Sequence, residues 1–439
     1  MAESSERFSI PYANKSEIFH HQKKDYKQYA HVYSARLKIL GALLKDKAIK
    51  KWGSKIPVKQ LFELREENQE TCIVIGTLFK HQVLQPSILK EVADEEHLVH
   101  QPLRSNYVDD QDKLILEDDL QRIRLMGKIE THMVVTGIVC AVLGYVEADG
   151  KFIVEDVLFY ESGPQKPLKS INDEQFILLM SGINLSNTCD PSEELDLLKY
   201  WLYGSFGTLA SSKIDPSQVV RVIIAGNSVD HLKLQQQQKN NLTSSTNKNS
   251  KDKNESEDTL VAIQTIDTFV SDLSLSVPID LMPGETDPSN LMLPQQALHS
   301  CMFPKARARD SFCSVTNPYM FECHDRLILG TSGQNIADIM RFSKIEDEIS
   351  ALKSTLIWSH IAPTAPDTLP SYPYYNEDPF IIKEMPHVYF AGNCKSFSTD
   401  EVKLDNGKTR VICIPQFGET KQVVLLNIKT LECKPMSFN

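Results

Sequence analysis

The stretch between residues 70 and 160 most constrains the fold of this 439-residue chain, since strand-like runs follow one another there without a convincing long helix. Those runs are ETCIVIGTLFK, DKLILED, QRIRLMGKIE, MVVTGIVCAVLGYVE and KFIVEDVLFY. Asp149 and Gly150 lie between the last two runs, and Asp-Gly between apolar runs is a strong hairpin signal. Short strands in such succession predict a small closed β-barrel over residues 61–165, and we favour the OB type.

A helix precedes the predicted barrel. Aromatic and leucine side chains recur there every three or four residues, which predicts a single apolar stripe. The stripe consists of Tyr26, Tyr29, Tyr33, Leu37, Leu40 and Leu44. The other face carries Lys27, Arg36, Lys38 and Lys45, which we interpret as a solvated basic face. Residues 1–60 are therefore predicted to form a short N-terminal basic helical segment.

After the hinge GPQKP at 163–167, short apolar strands alternate with helices. The strand-like runs are FILLMS (176–181), VVRVIIAG (219–226), VPIDLM (277–282), RLILG (326–330), HVYFAG (387–392), RVICIP (410–415) and VVLLNI (423–428). Helical patterns occupy 260–273 and 345–356. This alternation predicts an α/β layered domain over residues 170–439, with functional sites beyond the carboxyl ends of the strands.

One segment inside the predicted α/β domain differs in composition. Residues 235–257 contain a single aliphatic residue, Leu242, and no aromatic residue. Such a polar segment cannot bury enough apolar surface to order itself. We therefore predict a disordered insert at 235–257.

Charge is distributed unevenly along the chain. The net charge is -11, from 47 Lys and Arg against 58 Asp and Glu. Residues 1–60 hold 13 basic and 5 acidic residues, whereas residues 61–439 hold 34 basic and 53 acidic ones. Backbone phosphates supply most of the affinity of nucleic-acid-binding proteins. The acidic body therefore argues against a self-sufficient nucleic-acid-binding protein, although the basic N-terminal strip could touch phosphate.

The cysteines and the apolar stretches exclude further classes. None of the nine cysteines belongs to a CxxC pair, which argues against a structural zinc site. No uninterrupted apolar stretch approaches the ~20 residues of a membrane helix, and the start MAESSERFSIPYANKSE lacks the apolar region of a secretory signal. We expect an intracellular protein with reduced cysteines, no membrane partner and no cofactor.

The ends of the predicted α/β strands read S-G-I, G-N-S-V-D, P-G-E-T-D and G-N-C-K. In this order they resemble the motifs of calcineurin-like metallophosphoesterases, whose active members carry D-x-H, G-D-x-x-D, G-N-H-D, a lone His and G-H-x-H. Those carboxylates, imidazoles and an amide hold two metal ions. The resemblance assigns the former metal and catalytic slots to Ser181, Ile183, Asn227, Glu285, Thr286, Ser332, Asn393 and Lys395, with Asp230 and Asp287 retained.

The losses affect every motif of the two-metal centre. At a ligand position, the positively charged ammonium group of a residue such as Lys395 would repel a divalent cation. We therefore expect an inactivated phosphoesterase-like domain without catalytic or metal-binding residues. Asp230 and Asp287 are predicted to cap loops or helix starts, as short carboxylates often do. An active metallophosphoesterase remains an unfavoured alternative.

Longer strings carry a second resemblance. They are QYAHVYSARL (28–37), GTLFKHQVLQPSILKEV (76–92), LPQQALHSCMFP (293–304), VTNPY (315–319), GTSGQNIADIMRFS (330–343), HIAPTAPDTLPSYP (360–373) and PHVYFAGN (386–393). Over nearly the whole chain after residue 25, it resembles the B subunits of replicative DNA polymerases, in particular the small regulatory subunits (subunit 2) of polymerase delta. The resemblance implies an α+β multidomain fold: an OB-type barrel and an α/β calcineurin-like phosphoesterase domain, a layered β-sandwich flanked by helices.

The same resemblance implies a non-catalytic regulatory and scaffold subunit that acts in the nucleus, in DNA replication and repair. Its implied partners are the C-terminal cysteine-rich module of the polymerase delta catalytic subunit and the third accessory subunit, which links to the sliding clamp. The catalytic subunit of the translesion polymerase zeta is a further implied partner. Contact with DNA would be mainly indirect. The resemblance assigns no individual partner-contact residues.

A single-stranded DNA-binding OB protein is the other alternative. Such barrels stack bases on aromatic side chains along a positive groove. The barrel strands here offer few aromatic residues, namely Phe79, Tyr145, Phe152, Phe159 and Tyr160. These residues stand in an acidic setting, and their alternating placement predicts that most of the rings are core. Direct DNA binding by the barrel is therefore the less favoured interpretation.

Overall fold

In a computed structural model, the chain divides into two units. The α/β unit comprises Met1–Lys23, Gln165–Gln334 and Met385–Asn439, and the barrel unit comprises Lys24–Pro164 and Asn335–Glu384. The structure describes residues 7–21, 28–64, 70–86, 104–161, 163–185, 193–205, 214–230 and 251–438, with only the backbone described for 251–258.

Strands dominate the described residues. The strands are β1 Tyr12–Asn14, β2 Val58–Lys59, β3 Cys72–His81, β4 Lys113–Glu117, β5 Arg122–Gly127, β6 Val139–Val146, β7 Phe152–Leu158, β8 Phe176–Met180, β9 Val219–Ala225, β10 Ile279–Met282, β11 Phe312–Ser314, β12 Tyr319–Cys323, β13 Arg326–Thr331, β14 Val388–Cys394, β15 Ser398–Leu404, β16 Gly407–Pro415, β17 Gln422–Asn427 and β18 Cys433–Ser437. The α-helices are α1 Ala30–Trp52, α2 Glu193–Leu202, α3 Lys251–Leu273, α4 Gln334–Arg341, α5 Glu348–Ile357 and α6 Phe417–Thr420. Short 3-10 helices occupy Ser16–Phe19, Leu61–Glu63, Thr131–Met133, Pro216–Gln218, Ser300–Met302 and Ala306–Ala308. None of the helices that the structure describes is long and apolar enough to cross a membrane.

The α/β unit contains two six-stranded sheets. One has the order β1-β12-β13-β14-β16-β15, and the other has the order β11-β10-β9-β8-β17-β18. Apolar side chains from both sheets form one buried cluster, including Ile223 and Val424 from one sheet and Phe321, Phe390 and Ile412 from the other. Because strand side chains alternate between faces, the remaining side chains of the second sheet point to its other face.

Two helices cover that other face of the second sheet. Leu198 and Trp201 of α2 and Ile266 and Val270 of α3 are buried in one cluster with strand residues such as Leu178. Strands β8, β9 and β10 are therefore packed on both faces. Their sequences are accordingly mostly apolar, and Arg221 in β9 and Asp280 in β10 are the charged exceptions. The α/β unit thus has a layered architecture with its core on both sides of one sheet.

A polar cluster lies within the sandwich of the α/β unit. The Arg221 guanidinium donates to the Asp280 carboxylate at 2.7 Å, and the Tyr319 hydroxyl donates to the same carboxylate at 2.8 Å. The Tyr12 ring lies against Arg221, with 3.6 Å between the guanidinium carbon and the ring centroid. Burial raises the pKa of Asp280 to about 6, although Arg221 and Tyr319 favour its ionised form. This cluster joins both sheets through β9, β10, β12 and β1.

The N-terminal residues are part of the α/β unit, which corrects their predicted place in a helical segment of residues 1–60. Strand β1 pairs antiparallel with β12 at the edge of its sheet, and Phe19 is fully buried. The Arg7 guanidinium donates to the carbonyl oxygens of Leu202 and Pro216, both at 2.7 Å, and to the Ser276 hydroxyl at 3.0 Å. These contacts span more than 190 residues of sequence, so local periodicity could not indicate them.

The seven strand-like runs predicted after residue 170 are confirmed as β8, β9, β10, β13, β14, β16 and β17. Strands β11, β12, β15 and β18 were not predicted. Of these, β15 is polar and mostly half-buried, and β18 is mostly exposed, so neither contains an apolar run. Of the predicted disordered insert, residues 235–250 lie outside the described residues. Residues 251–257 form the start of α3, so the prediction of disorder is wrong for them. Once the apolar part of a helix is in place, each residue added to its end gains one backbone hydrogen bond, so the helix can extend into a polar segment.

The barrel unit contains a closed sheet, as predicted. Its strand order is β2-β3-β4-β5-β7-β6, and β3 also pairs with β6. The pair β5–β7 is parallel, while β3–β4, β4–β5, β6–β7 and β3–β6 are antiparallel. The predicted hairpin at Asp149 and Gly150 joins β6 to β7, and Gly150 has the positive φ of 77° that such turns require. A five-stranded closed sheet with one parallel closing pair is consistent with the OB type.

Helix α1 packs on the outside of this barrel. Leu40, Leu44 and Ala48 are buried in one cluster with barrel residues such as Ile73 and Val139. Of the predicted apolar stripe, Leu40 and Leu44 are confirmed, whereas Tyr29 is exposed. Tyr26 and Lys27 lie outside the described residues.

The basic face predicted for α1 is only partly solvated. Lys38 and Lys45 are exposed, but Arg36 is fully buried and the prediction for it is wrong. Its Nε donates to the Asp378 carboxylate at 2.6 Å. Its two terminal nitrogens donate to the carbonyl oxygens of Gly137, Pro363 and Ala365 at 2.7–3.0 Å. A guanidinium group can be buried only where such acceptors are fixed around it.

His360 completes the buried cluster of Arg36 and Asp378. Its Nδ1 accepts the backbone N–H of Ala362 at 3.2 Å, and its Nε2 lies 2.8 Å from the Asp378 carboxylate. Since Nδ1 is an acceptor, the ring is the neutral tautomer that donates from Nε2. Burial and the charge of Arg36 lower the pKa of His360 to about 4. Although burial alone would raise it, Arg36 and His360 hold the pKa of Asp378 well below its usual range.

Residues 335–384 belong to the barrel unit, which corrects the predicted continuous domain of 170–439. The Lys80 ammonium of β3 donates to the Phe342 carbonyl at 2.9 Å, and the rings of Tyr107 and Phe342 stack with centroids 5.2 Å apart. Helices α4 and α5 therefore follow the strands of one unit in sequence but belong to the other. Strand–helix alternation does not reveal which core a helix joins.

The buried imidazole predicts a pH dependence for the stability of the barrel unit. The pKa of His360 falls from 6.5 to about 4 on folding, so the unfolded chain binds more protons between these values and stability is lost as the pH falls through this window. In His360→Gln the amide can replace both hydrogen bonds without titrating. We expect the destabilisation caused by His360→Gln, measured by urea unfolding, to shrink by about 2 kcal/mol between pH 7 and pH 5.

The exposed His81 of β3 provides the matched control. His81→Gln should change stability by less than about 0.5 kcal/mol at both pH values. An equal destabilisation by His360→Gln at pH 7 and pH 5 would contradict a neutral buried ring.

Candidate functional site

The carboxyl ends of several strands meet at one place in the α/β unit. Strands β8, β9 and β10 are parallel neighbours in one sheet, and β13 and β14 are parallel neighbours in the other. A Cβ atom on Gly226, after β9, would lie 2.6 Å from the Cβ of Ser332 and 2.8 Å from the Cα of Gly284. Gly226 also has a φ of +82°, so both the close contacts and the backbone conformation require glycine at this position. The loops after β9, β10 and β13 are therefore in direct contact.

Ser181 and Asn393 join the ends of β8 and β14. The Ser181 hydroxyl lies 3.2 Å from the carbonyl oxygens of both Ile414 and Pro415. It accepts the backbone N–H of Asn393 at 2.8 Å. The Asn393 side-chain amide donates to the Ser332 carbonyl at 2.8 Å. Three of the sequence-predicted positions are thus brought together by hydrogen bonds to main-chain atoms.

Asp287 organises the loop after β9. Its carboxylate accepts the backbone N–H groups of Ser228 and Val229 through one oxygen at 2.8 and 2.9 Å, and that of Gly284 through the other at 2.8 Å. The residue is 4% exposed. Burial raises the pKa of its carboxyl group to about 6, and the N–H donors act in the opposite direction. In this geometry Asp287 caps two loops, as predicted for it from the sequence.

Asn227 and Thr286 connect the same two loops. The Asn227 side-chain oxygen accepts the Thr286 N–H at 3.2 Å, and the Thr286 hydroxyl donates to the Val229 carbonyl at 2.8 Å. Asn227 and Asn393 have φ angles of 56° and 57°. Asparagine tolerates this left-handed region better than most residues. The backbone conformation therefore gives a structural reason for asparagine at both positions.

Ser332 belongs to an amide network that the sequence analysis missed. Its N–H donates to Asn317 at 3.0 Å, its hydroxyl accepts from the Asn317 amide at 2.6 Å, and it also bonds to Gln334. The amide of Gln295 donates to the Gly284 carbonyl at 3.0 Å. Gln295, Asn317 and Gln334 stood in the strings that carried the second resemblance, but nothing in their spacing indicated a shared network.

The other predicted positions lie apart from these hydrogen bonds. Ile183 is buried in the apolar cluster under α2 and α3, and Glu285 and Lys395 are exposed. Asp230 is 4% exposed, and its N–H donates to the Leu185 carbonyl at 3.0 Å. The structure thus joins Ser181, Ser332 and Asn393, and separately Asn227, Thr286 and Asp287.

The chemistry available at these strand ends is that of amides, hydroxyls and the buried carboxylates of Asp230 and Asp287. Across the part of the chain that the structure describes, no three His, Cys, Asp or Glu residues form a group that could hold a metal ion. The hydroxyl of Ser181, the side-chain oxygen of Asn227 and the side-chain nitrogen of Asn393 are engaged with main-chain partners. The buried side-chain oxygen of Asn393 has no hydrogen-bond partner among the described residues. What the arrangement does chemically is to fix the loops relative to one another.

Two protein families match the chain, one in each part of the sequence. Residues 28–157 match the OB-fold domain family of DNA polymerase delta subunits. Residues 177–399 match the B-subunit family of DNA polymerases alpha and epsilon. The first match covers α1 and the barrel strands. The second covers the strand ends described above.

Relatives are similar to the chain along almost its whole length. The DNA polymerase delta subunit 2 of Drosophila melanogaster is 44% identical over 440 residues, covering 99% of this chain and 98% of the relative. The DNA polymerase delta small subunit of Oryza sativa subsp. japonica is 37% identical, with 99% of each chain covered. That of Saccharomyces cerevisiae is 29% identical, with 97% of this chain and 93% of the relative covered. The chain therefore belongs to the family of DNA polymerase delta small subunits.

Proposed function

We propose that this chain is a non-catalytic regulatory and scaffold subunit of the replicative DNA polymerase delta complex. The observation that carries the proposal is the similarity to polymerase delta subunits along 99% of the chain. The strand ends support a scaffold, because Ser181, Asn227 and Asn393 already bond to main-chain atoms. Side chains engaged in this way hold loops in place.

We also propose that the α/β unit is an inactivated calcineurin-like phosphoesterase domain. Two facing sheets with helices outside one of them support this assignment. The convergence of polar loops at the ends of parallel strands supports it as well, since that is where α/β domains place their sites. On this proposal, Ser181, Ile183, Asn227, Glu285, Thr286, Ser332, Asn393 and Lys395 occupy former metal and catalytic slots, and Asp230 and Asp287 are retained as structural carboxylates.

Within the complex, the proposed role is a bridge. The chain would bind the C-terminal cysteine-rich module of the catalytic subunit and the third accessory subunit, and through the latter the sliding clamp. We propose that it also serves polymerase zeta, and that it acts in the nucleus in replication, repair and translesion synthesis. The acidic character of residues 61–439, with 34 basic against 53 acidic residues, supports binding to basic modules of other chains.

Co-expression with the catalytic subunit of polymerase delta tests the scaffold role. We expect an equimolar complex that survives gel filtration, because a scaffold must bind its partner stably. Deleting the cysteine-rich module from the catalytic chain should abolish this complex. The third accessory subunit should join the catalytic chain only when this chain is present.

Two outcomes would contradict different parts of the proposal. Binding of the third subunit to the catalytic chain in the absence of this chain would overturn the bridge. Failure of this chain to bind the catalytic subunit at all would overturn the scaffold role itself.

A further inference from the structure

A short basic turn stands out on the acidic α/β unit. Lys305, Arg307 and Arg309 fall within five consecutive residues, and all three are exposed. Lys305 and Arg309 flank the 3-10 helix Ala306–Ala308, and Arg307 is its middle residue. We call these three residues the basic turn. One acidic residue, Asp310, follows directly, so the six residues 305–310 carry a net positive charge in a region of opposite overall sign.

The two guanidinium groups of the basic turn are not neutralised. Among the residues that the structure describes, neither Arg307 nor Arg309 has an ion pair or a side-chain hydrogen bond, whereas many other exposed cations do. Lys403 and Lys408, for example, lie 3.7 and 3.5 Å from the Glu401 carboxylate. An unpaired surface guanidinium keeps its five donors for an external acceptor.

The backbone of the basic turn is held firmly. The buried carboxylate of Asp267 in α3 accepts the N–H groups of Lys305 and Ala306 at 3.1 and 2.9 Å. Ala306 itself is fully buried. The Lys305 ammonium donates to the Thr268 hydroxyl at 2.9 Å. The two arginines are therefore presented from a fixed base, which lowers the ordering cost of binding.

The composition of the basic turn favours a polyanion over a protein surface. Protein–protein interfaces have an apolar core rich in aromatic residues. No large hydrophobic residue between 305 and 310 is exposed, although the exposed Leu275 directly follows Ser274, whose carbonyl accepts a hydrogen bond from the Ser311 hydroxyl. Sites for a nucleic-acid backbone are polar and positively charged, and guanidinium groups match phosphate geometry with two parallel hydrogen bonds.

We propose that the basic turn contacts the phosphate backbone of duplex DNA held by the assembled polymerase complex. This inference rests on the proposed function, because the acidic remainder of the chain would repel DNA unless a partner supplies most of the attraction. Each arginine displaces about one condensed counterion from the duplex, so the contact adds to the salt dependence of DNA binding.

The test uses the complex with the catalytic subunit and a primer–template duplex. The variant is Arg307→Glu/Arg309→Glu, and the control is Lys403→Glu/Lys408→Glu, which makes the same charge change in the same unit at paired lysines. We expect the Arg variant to reduce the slope of log affinity against log salt by about 2. Its affinity defect should therefore be about tenfold larger at 50 mM than at 200 mM salt. The control should leave the slope unchanged.

The outcomes separate this inference from the proposed function. An unchanged slope in an intact complex, or equal slopes for both variants, would overturn the DNA contact while leaving the scaffold role intact. Loss of a protein subunit from the complex with the Arg variant would show an acidic protein partner instead and would also overturn it. Arg307→Gln/Arg309→Gln, which removes the charge without reversing it, should reproduce the reduced slope, and unchanged thermal unfolding would show that both variants fold.

Discussion

Replacing Arg36 by methionine should lower the free energy of unfolding by about 3–5 kcal/mol, the range seen when one partner of a buried ion pair is removed. Methionine fills similar volume but leaves Asp378 charged, fully buried and short of its main counter-charge. The carbonyl oxygens of Gly137, Pro363 and Ala365 lose their donors as well. Urea unfolding of the full chain, followed by tryptophan fluorescence, measures the effect.

Lys38→Met in the same helix is the control, because Lys38 is exposed. It should change stability by less than about 0.5 kcal/mol. If Arg36→Met were no more destabilising than Lys38→Met, the buried cluster would not be what ties α1 to residues 360–378. A double variant, Arg36→Met/Asp378→Asn, should recover part of the loss, since it removes the uncompensated charge.

Asp287→Ala should destabilise the α/β unit by about 3–5 kcal/mol, since three buried N–H donors lose their acceptor and each such loss costs about 1–3 kcal/mol. The loops after β9 and β10 depend on this carboxylate for their mutual arrangement. Thermal unfolding at neutral pH measures the change. A structural role for this carboxylate predicts this result independently of any ligand-binding role of the strand ends.

Glu285→Ala provides the control for Asp287→Ala, because Glu285 lies in the same loop and is exposed. Its effect should stay within about 0.5 kcal/mol. Manganese-dependent phosphodiesterase activity should be undetectable in the unaltered chain and in both variants. Activity that disappears in a folded Asp287→Ala protein would contradict the structural role and revive the hydrolase alternative.

Much of the fold could be predicted because it is locally encoded. Strands such as β8 and β17 are packed on both faces, so their sequences contain continuous apolar runs of four or five residues. The turn at Asp149 and Gly150 carries its own conformational signal, independent of the rest of the chain. These features need no information from distant residues.

The parts that could not be predicted depend on distant residues. Arg36 has the sequence context of a solvated face, and only the acceptors around residues 137 and 360–378 make its burial favourable. Tyr12 lies in a three-residue strand whose place is set by β12, more than 300 residues away. Periodicity within a window of sequence contains nothing about such partners.

The sequence indicated where along the chain the residues of the candidate site lie, but not which hydrogen bonds they make. The motif order placed Ser181, Asn227 and Asn393 at strand ends, and those strands are where they were expected. The hydrogen bonds of these side chains to main-chain atoms, and the left-handed φ angles of Asn227 and Asn393, depend on the folded geometry, which a sequence does not display. The amide network of Gln295, Asn317 and Gln334 had no recognisable pattern, because its members come from two separate loops and the start of α4.

The chain passes between its two units four times, near residues 23, 164, 334 and 384. Each unit is therefore built from separate segments of the chain, so no continuous fragment contains one complete unit without part of the other. Truncation past residue 24 from the N-terminus, or past residue 384 from the C-terminus, would remove parts of both units. A fragment ending near residue 164 would lack Asp378, the partner of Arg36. Partner surfaces on this protein are therefore accessible to point substitution and cross-linking, whereas deletion series would report misfolding in place of lost binding.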